Sequence, residues 1–126
     1  ALWDKIARAT DAAPGLVGSH TVRAGEGTWQ ALAPGAWINV LHVDRAQRVR
    51  SFLLRLDPGA VLPGHDHRSD EECVVLEGEM IIAGTRLSPG DYHLGRRGLP
   101  HGAISSPGGG LIFIRGALDE HADRGL

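Results

Sequence analysis

Histidines at 65 and 67, a glutamate at 71 and a histidine at 101 are the residues of this chain whose types and spacing best suit chemistry. In an extended strand, residues two apart face the same side, so His65 and His67 point together while Asp66 turns away. Arg68-Ser69-Asp70 is short enough to reverse the chain, which lets Glu71 open the neighbouring strand on the same face. His101 is expected at the start of a strand distant in sequence, as a barrel closing on itself would provide. Three imidazoles and a carboxylate form a set that binds a first-row transition metal ion, and zinc, iron, manganese, nickel and copper all suit it. Four ligands on zinc make a closed structural site, whereas a larger coordination number leaves room for water or substrate.

Adjacent strand residues face opposite sides, so only one of Glu71 and Glu72 can join this cup. Glu71 is favoured; Cys73 and Val75 then point inward with it, and Val74 and Leu76 pack on the other face. His20, His42, His93 and His121 read as surface or satisfied histidines rather than ligands. Cys73 reads as a small buried apolar group, not a nucleophile. No serine, histidine and acid grouping stands out for covalent catalysis, and no glycine-rich phosphate loop precedes a helix.

The elements that must position these residues are short strands. Eighteen glycines and seven prolines in 126 residues imply many tight turns. Strand candidates run over Trp37–Val43, Val49–Leu56, Glu71–Leu76, Met80–Ala83, Tyr92–Leu94, His101–Ile104 and Leu111–Arg115, with Val61-Leu62 leading into the histidine strand. In the second of these, Phe52, Leu54 and Leu56 share a face, and Arg50 and Arg55 fall on opposite faces. Asp57-Pro58-Gly59, Glu77-Gly78, Gly84-Thr85 and Ser88-Pro89-Gly90-Asp91 supply turns. Turns this frequent, with no credible central helix, predict an all-β sandwich or barrel. Leu2–Ala9 is predicted as a short helix with Leu2, Ile6 and Ala9 on one side, broken by Pro14 and Gly15. The chain divides into an N-terminal arm or linker (1–25), a barrel (26–118) and a C-terminal tail (119–126).

Composition narrows the function classes. A hydrophobic content of 42% is ordinary for a globular domain with a real core. A net charge of −2 gives no reason to expect direct nucleic-acid or membrane-surface binding. No apolar run is long enough to span a bilayer and no signal-peptide pattern opens the chain. A lone cysteine rules out an internal disulfide framework and fits a reducing cytoplasm.

The spacing Gly59, five residues, His65-x-His67, three residues, Glu71, six residues, Gly78 resembles the first motif of the cupins. A second motif is recognisable in Gly90, five residues, Arg96-x-Gly98, two residues, His101, three residues, Ser105. It departs from the family pattern in Arg96, where the motif has proline, and Ser105, where it has asparagine; neither position is expected to be a ligand. The resemblance covers roughly Thr28 to Leu118. It implies an all-β, cupin-type double-stranded β-helix, that is, an RmlC-like jelly-roll barrel, with a short N-terminal helix or arm, and it is specific for fold and metal but weak for activity.

Trp29, Gly35-Ala36-Trp37-Ile38-Asn39-Val40-Leu41-His42-Val43-Asp44, Leu53-Leu54-Arg55-Leu56, Pro58-Gly59-Ala60 and Glu71-Glu72 look more narrowly like ChrR-type cupins, the C-terminal domains of zinc-dependent anti-sigma factors. By that resemblance the domain binds zinc through His65, His67, Glu71 and His101 and takes part in sensing oxidative stress. The sigma-binding part of such proteins is an N-terminal zinc domain with His and Cys ligands. With Cys73 as its one cysteine, this chain is not expected to hold a sigma factor by that route. It is expected to be the detached sensor domain, with Leu2–Ala9 ending the interdomain connection, or a stand-alone relative. The same subgroup is similar to small metal-dependent dioxygenases such as acetylacetone-cleaving enzymes. In an enzyme of that kind, Tyr92, Trp37, His93 and Arg55 would line a pocket for a small diketone or acid, although plain packing or surface roles suit each better. A structural cupin binding a sugar or small acid is a third reading. The regulator is preferred, with a small molecule in the barrel as its ligand and a homodimer as its assembly, because exposed sheet edges are commonly buried by pairing.

Overall fold

A computed structural model describes residues 18–64, 69–98 and 102–118. Its ten strands are β1 Gln30–Ala33, β2 Ala36–Asp44, β3 Val49–Leu56, β4 Ala60–Leu62, β5 Glu71–Gly78, β6 Met80–Ile82, β7 Thr85–Leu87, β8 Tyr92–Gly95, β9 Ile104–Ser106 and β10 Gly110–Ala117. They form two antiparallel sheets, one of six strands in the order β1-β2-β3-β10-β5-β8 and one of four in the order β4-β9-β6-β7. This is the all-β architecture that the turn spacing predicts, in the jelly-roll form that the cupin resemblance implies. The helix expected over Leu2–Ala9 lies outside the described residues.

Alternation decides which face of each strand is buried. In β3, Arg50, Phe52, Leu54 and Leu56 point inward and Arg55 outward. In β5, Glu71, Cys73 and Val75 point inward and Glu72 and Leu76 outward, as the Glu71 alternative requires. Register places Ile38, Leu54, Ile112 and Val75 side by side across four strands, forming the middle layer of the core. Met80, Ile82, Leu87 and Ile104 of the smaller sheet pack against them. Fully burying one such aliphatic side chain contributes about 1.5–3 kcal/mol, so this layer supplies a large part of the folding energy.

Some boundaries differ from the sequence expectation. The strand expected over His101–Ile104 begins at Ile104 and runs to Ser106, because its ladder partners are Ala60–Leu62 and Ile81-Ile82. β1 and β7 were not anticipated, and Thr85 opens a strand instead of closing a turn. In β2 a bulge between Val40 and His42 shifts the register, which ends the strict alternation expected there. Asn39, read as one of the alternating strand residues, is buried because residues 18–29 fold back over it; its Nδ2 donates to the Glu26 carbonyl at 3.1 Å.

The chain passes between the sheets at both ends, and unevenly. At one end, residues 57–59, 79, 88–91 and 107–109 form four short crossings among the described residues. They are tied by backbone bonds such as Gly59 N–H to the Ser106 carbonyl (2.8 Å) and Gly90 N–H to the Val75 carbonyl (2.8 Å). At the other end, the sheets are joined by two longer connections, 63–70 between β4 and β5 and 96–103 between β8 and β9.

Candidate metal centre

The two long connections are the parts of the chain that carry the candidate histidines. His65 and His67 belong to the first and His101 to the second, and all three lie outside the described residues. The residues that bound these stretches are described, and they are neighbours. Leu62, at the end of β4, pairs with Ile104, at the start of β9. Glu71, at the start of β5, pairs with Gly95, at the end of β8. A hydrogen bond joins the connections directly: the Arg97 N–H donates to Asp70 Oδ1 at 2.9 Å.

Glu71 is the one candidate ligand among the described residues. It is 6% exposed and points to the inner face, although a carboxylate is costly to bury without compensation. Glu72 is exposed on the outer face, where its Oε1 accepts from the Tyr92 hydroxyl at 2.7 Å. That bond, and the negative charge behind it, raise the Tyr92 phenol above its usual range. Of the two carboxylates, Glu71 is thus the inward one. An ionised carboxylate held inside a β barrel is hard oxygen chemistry, and with imidazole it fits a divalent transition metal.

Cys73 sits one step deeper than Glu71 on the same face. Burial first, and then the negative charge of Glu71, push its thiol up to about 12. The folded state thus favours the neutral thiol. The associated stability is complete below the ordinary thiol value near pH 9 and is lost as the pH rises towards 12. We expect native Cys73 to react with iodoacetamide at pH 8 at least about a hundredfold more slowly than the urea-unfolded chain, measured by mass spectrometry. Equal rates would show an exposed, ionisable thiol.

The residues considered as pocket-lining divide between the two faces. Trp37 is 38% exposed on the outer face, with its indole N–H 3.4 Å from Asp57 Oδ2. Arg55, also outward, stacks over Trp29 at 5.5 Å. Tyr92 is outward and 55% exposed, whereas His93 pairs with Cys73 and faces inward. Trp29, Leu41, Leu53, Leu76 and Leu111 line an outer groove of about 460 Å³ beneath residues 22–26, well apart from the inner face. His20 and His42 pack against each other at 6.2 Å and take no part in the Glu71 site. Arg50 is a residue the chemical reading of the sequence did not single out: it is 2% exposed on the inner face, level with Glu71. Its signal was its place in step with Phe52, Leu54 and Leu56.

Comparison with known proteins agrees with this architecture. The family model for the ChrR cupin-like domain matches residues 17–118. Among solved structures, the chain is similar to a chain of the Rhodobacter sphaeroides SigE complex with the anti-sigma ChrR, at 22% identity and TM-score 0.65, covering 75% of this chain and 50% of that one. It is also similar to an RmlC-like cupin from Shewanella frigidimarina, at 19% identity and TM-score 0.71, covering 83% and 96%. A third likeness is to an acetylacetone dioxygenase from Acinetobacter johnsonii, at 17% identity and TM-score 0.61, covering 66% and 60%. At these identities the structural likeness speaks for the fold, and the chain spans half the length of the SigE–ChrR complex chain it matches. No curated protein sequence matches it. With two antiparallel sheets in jelly-roll order and a family match over most of its length, the chain belongs to the ChrR cupin-like domain family.

Proposed function

We propose that this chain is a metal-binding sensor or regulatory cupin domain, holding one divalent transition metal ion, most naturally zinc, through His65, His67, Glu71 and His101. The observation that carries the reading is the pairing of the boundaries: Leu62 with Ile104, Glu71 with Gly95, and Asp70 hydrogen-bonded to the backbone of Arg97. These contacts hold the described boundaries of both stretches at the end of the barrel where Glu71 is buried, which supports a shared site. When bound, the ion supplies Lewis acidity and a cross-link between the sheets. The chain's own residues would hold it, shield it from water on the Cys73 side and couple its loss to stability. The family match supports a role beside a sigma factor, contacted through a further domain, and stress-responsive transcription control as the setting. The edges that β1 and β8 give the larger sheet among the described residues suit assembly as a homodimer.

The fold likeness to an acetylacetone dioxygenase favours a second reading, a metal-dependent dioxygenase acting on a small diketone or acid. One experiment separates the two. The purified protein is stripped with chelator and reloaded with zinc or with iron(II); Tm is recorded, and oxygen uptake is followed with acetylacetone. The regulator predicts one zinc per chain, a zinc-dependent rise of more than about 5 °C and no oxygen uptake. Iron-dependent uptake would replace it with the enzyme, and absence of any metal-dependent shift would remove the metal site altogether.

A further inference from the structure

Among the described residues, Arg50 and Glu71 are the charged side chains that are buried, at 2% and 6% exposure. They stand on strands that do not touch, because β3 and β5 flank β10. Between them lies Gly116, the register partner of Arg50. Arg115 pairs with Glu72, which brings Gly116 level with Glu71 as well. Two strand spacings separate the flanking backbones by about 10 Å, a span that the two side chains together can bridge.

The middle position is small for a visible reason. A Cβ placed on Gly116 would lie 3.0 Å from Glu71 Oε2 and 3.1 Å from its Cγ, so the Glu71 side chain lies across the glycine, towards β3. Its φ is not positive, so the backbone does not demand glycine there. Glycine inside a central strand weakens the strand and often marks a close approach, and here what approaches is the carboxylate side chain. On the far side, the Arg50 guanidinium carbon lies 4.7 Å from the Phe52 ring centroid, an arrangement that holds the cation on the inner face. A buried cation and a buried anion in one row are each costly alone and much less so together.

We propose that Arg50 is a positioning residue for Glu71: its charge draws the carboxylate across the slot left by Gly116 and fixes the direction in which Glu71 is presented. This deepens the metal reading and rests on it for its functional consequence, but the charge row itself can be tested without metal.

The test is a double-mutant cycle of Arg50→Met, Glu71→Gln and the pair, with Arg50→Lys and Gly116→Ala alongside. Tm is read in chelator-stripped protein, and zinc affinity by competition with a chromophoric chelator. In stripped protein, Arg50→Met is expected to lower Tm more than the double variant does, because Gln removes the carboxylate that Met leaves uncompensated. Zinc affinity is expected to fall about tenfold or more in Arg50→Met, to recover partly in Arg50→Lys, and to fall in Gly116→Ala with little change in the stripped Tm. Should Arg50→Met not fold, the Lys and Gly116 variants carry the test. Additive Tm losses in stripped protein, or unchanged zinc affinity in Arg50→Met and Gly116→Ala, would overturn the proposal. Absence of zinc binding in the unmodified protein would remove the ligand reading alone, since the stripped-protein cycle decides the charge row by itself.

Discussion

Changing His67 to alanine is expected to lower zinc affinity by at least about a hundredfold and to abolish most of the zinc-dependent rise in Tm. Loss of a group that merely supports a ligand commonly costs ten- to a hundredfold, and loss of a ligand itself costs at least the upper end of that range. Because binding to the folded state is folding free energy, metal content and Tm should fall together. In chelator-stripped protein the same substitution should move Tm by less than about 2 °C, since a ligand's stabilising effect is exerted through the bound ion. Metal analysis of the purified variant, with paired scans in zinc and in chelator, checks both halves. Full zinc occupancy in the variant would refute the assignment of His67 as a ligand.

The second large effect is expected at Gly78. Its φ is +67°, and a Cβ there would stand 2.1 Å from the Gly109 carbonyl oxygen and 2.9 Å from Gly110 Cα, all backbone. Gly109 cannot retreat freely, because on its other side it packs on Pro58. Gly78→Ala must therefore push β10 away from β5 at the end where their ladder closes, where Gly78 pairs with Gly110. A loss of about 3–5 kcal/mol follows from strain and lost packing combined, or a drop of more than about 10 °C in Tm. Gly84→Ala is the internal control: its φ is +82°, but nothing lies within 4 Å, so it bears the backbone cost alone, about 1 kcal/mol. Equal Tm losses in the two variants would mean that the crowded crossing relaxes freely.

Gly78 also shows how much of the fold was legible. The motif glycine marked the end of β5 because the crossing there leaves no space for a side chain, and that constraint survives in the sequence as a residue type. Strands β3, β5 and β10 were readable because each carries alternation over several residues. β1 and β7 were not, since Gln30–Ala33 and Thr85–Leu87 carry no apolar alternation and become strands only through their partners β2 and β6. β9 differs from the expected His101–Ile104 strand for a similar reason: Ser105-Ser106 carries no apolar signal, yet Ser106 is fully buried, with its hydroxyl donating to the Glu79 carbonyl. Within the site, period two let only one of Glu71 and Glu72 turn inward, and the six-residue spacing to Gly78 favoured Glu71. The burial of Arg50 was implied by the same period, but an arginine among core positions was not weighed for chemistry. The fold-back of residues 18–29 onto Asn39 had no local signal, because it depends on a backbone carbonyl meeting a distant amide.

Among the described residues, four short crossings close the barrel where Gly59, Gly78 and Gly109 lie. Glu71 stands at the opposite rim from those glycines, so an ion held there would act as a clasp facing a sewn spine, fastening the two sheets where the short crossings do not reach.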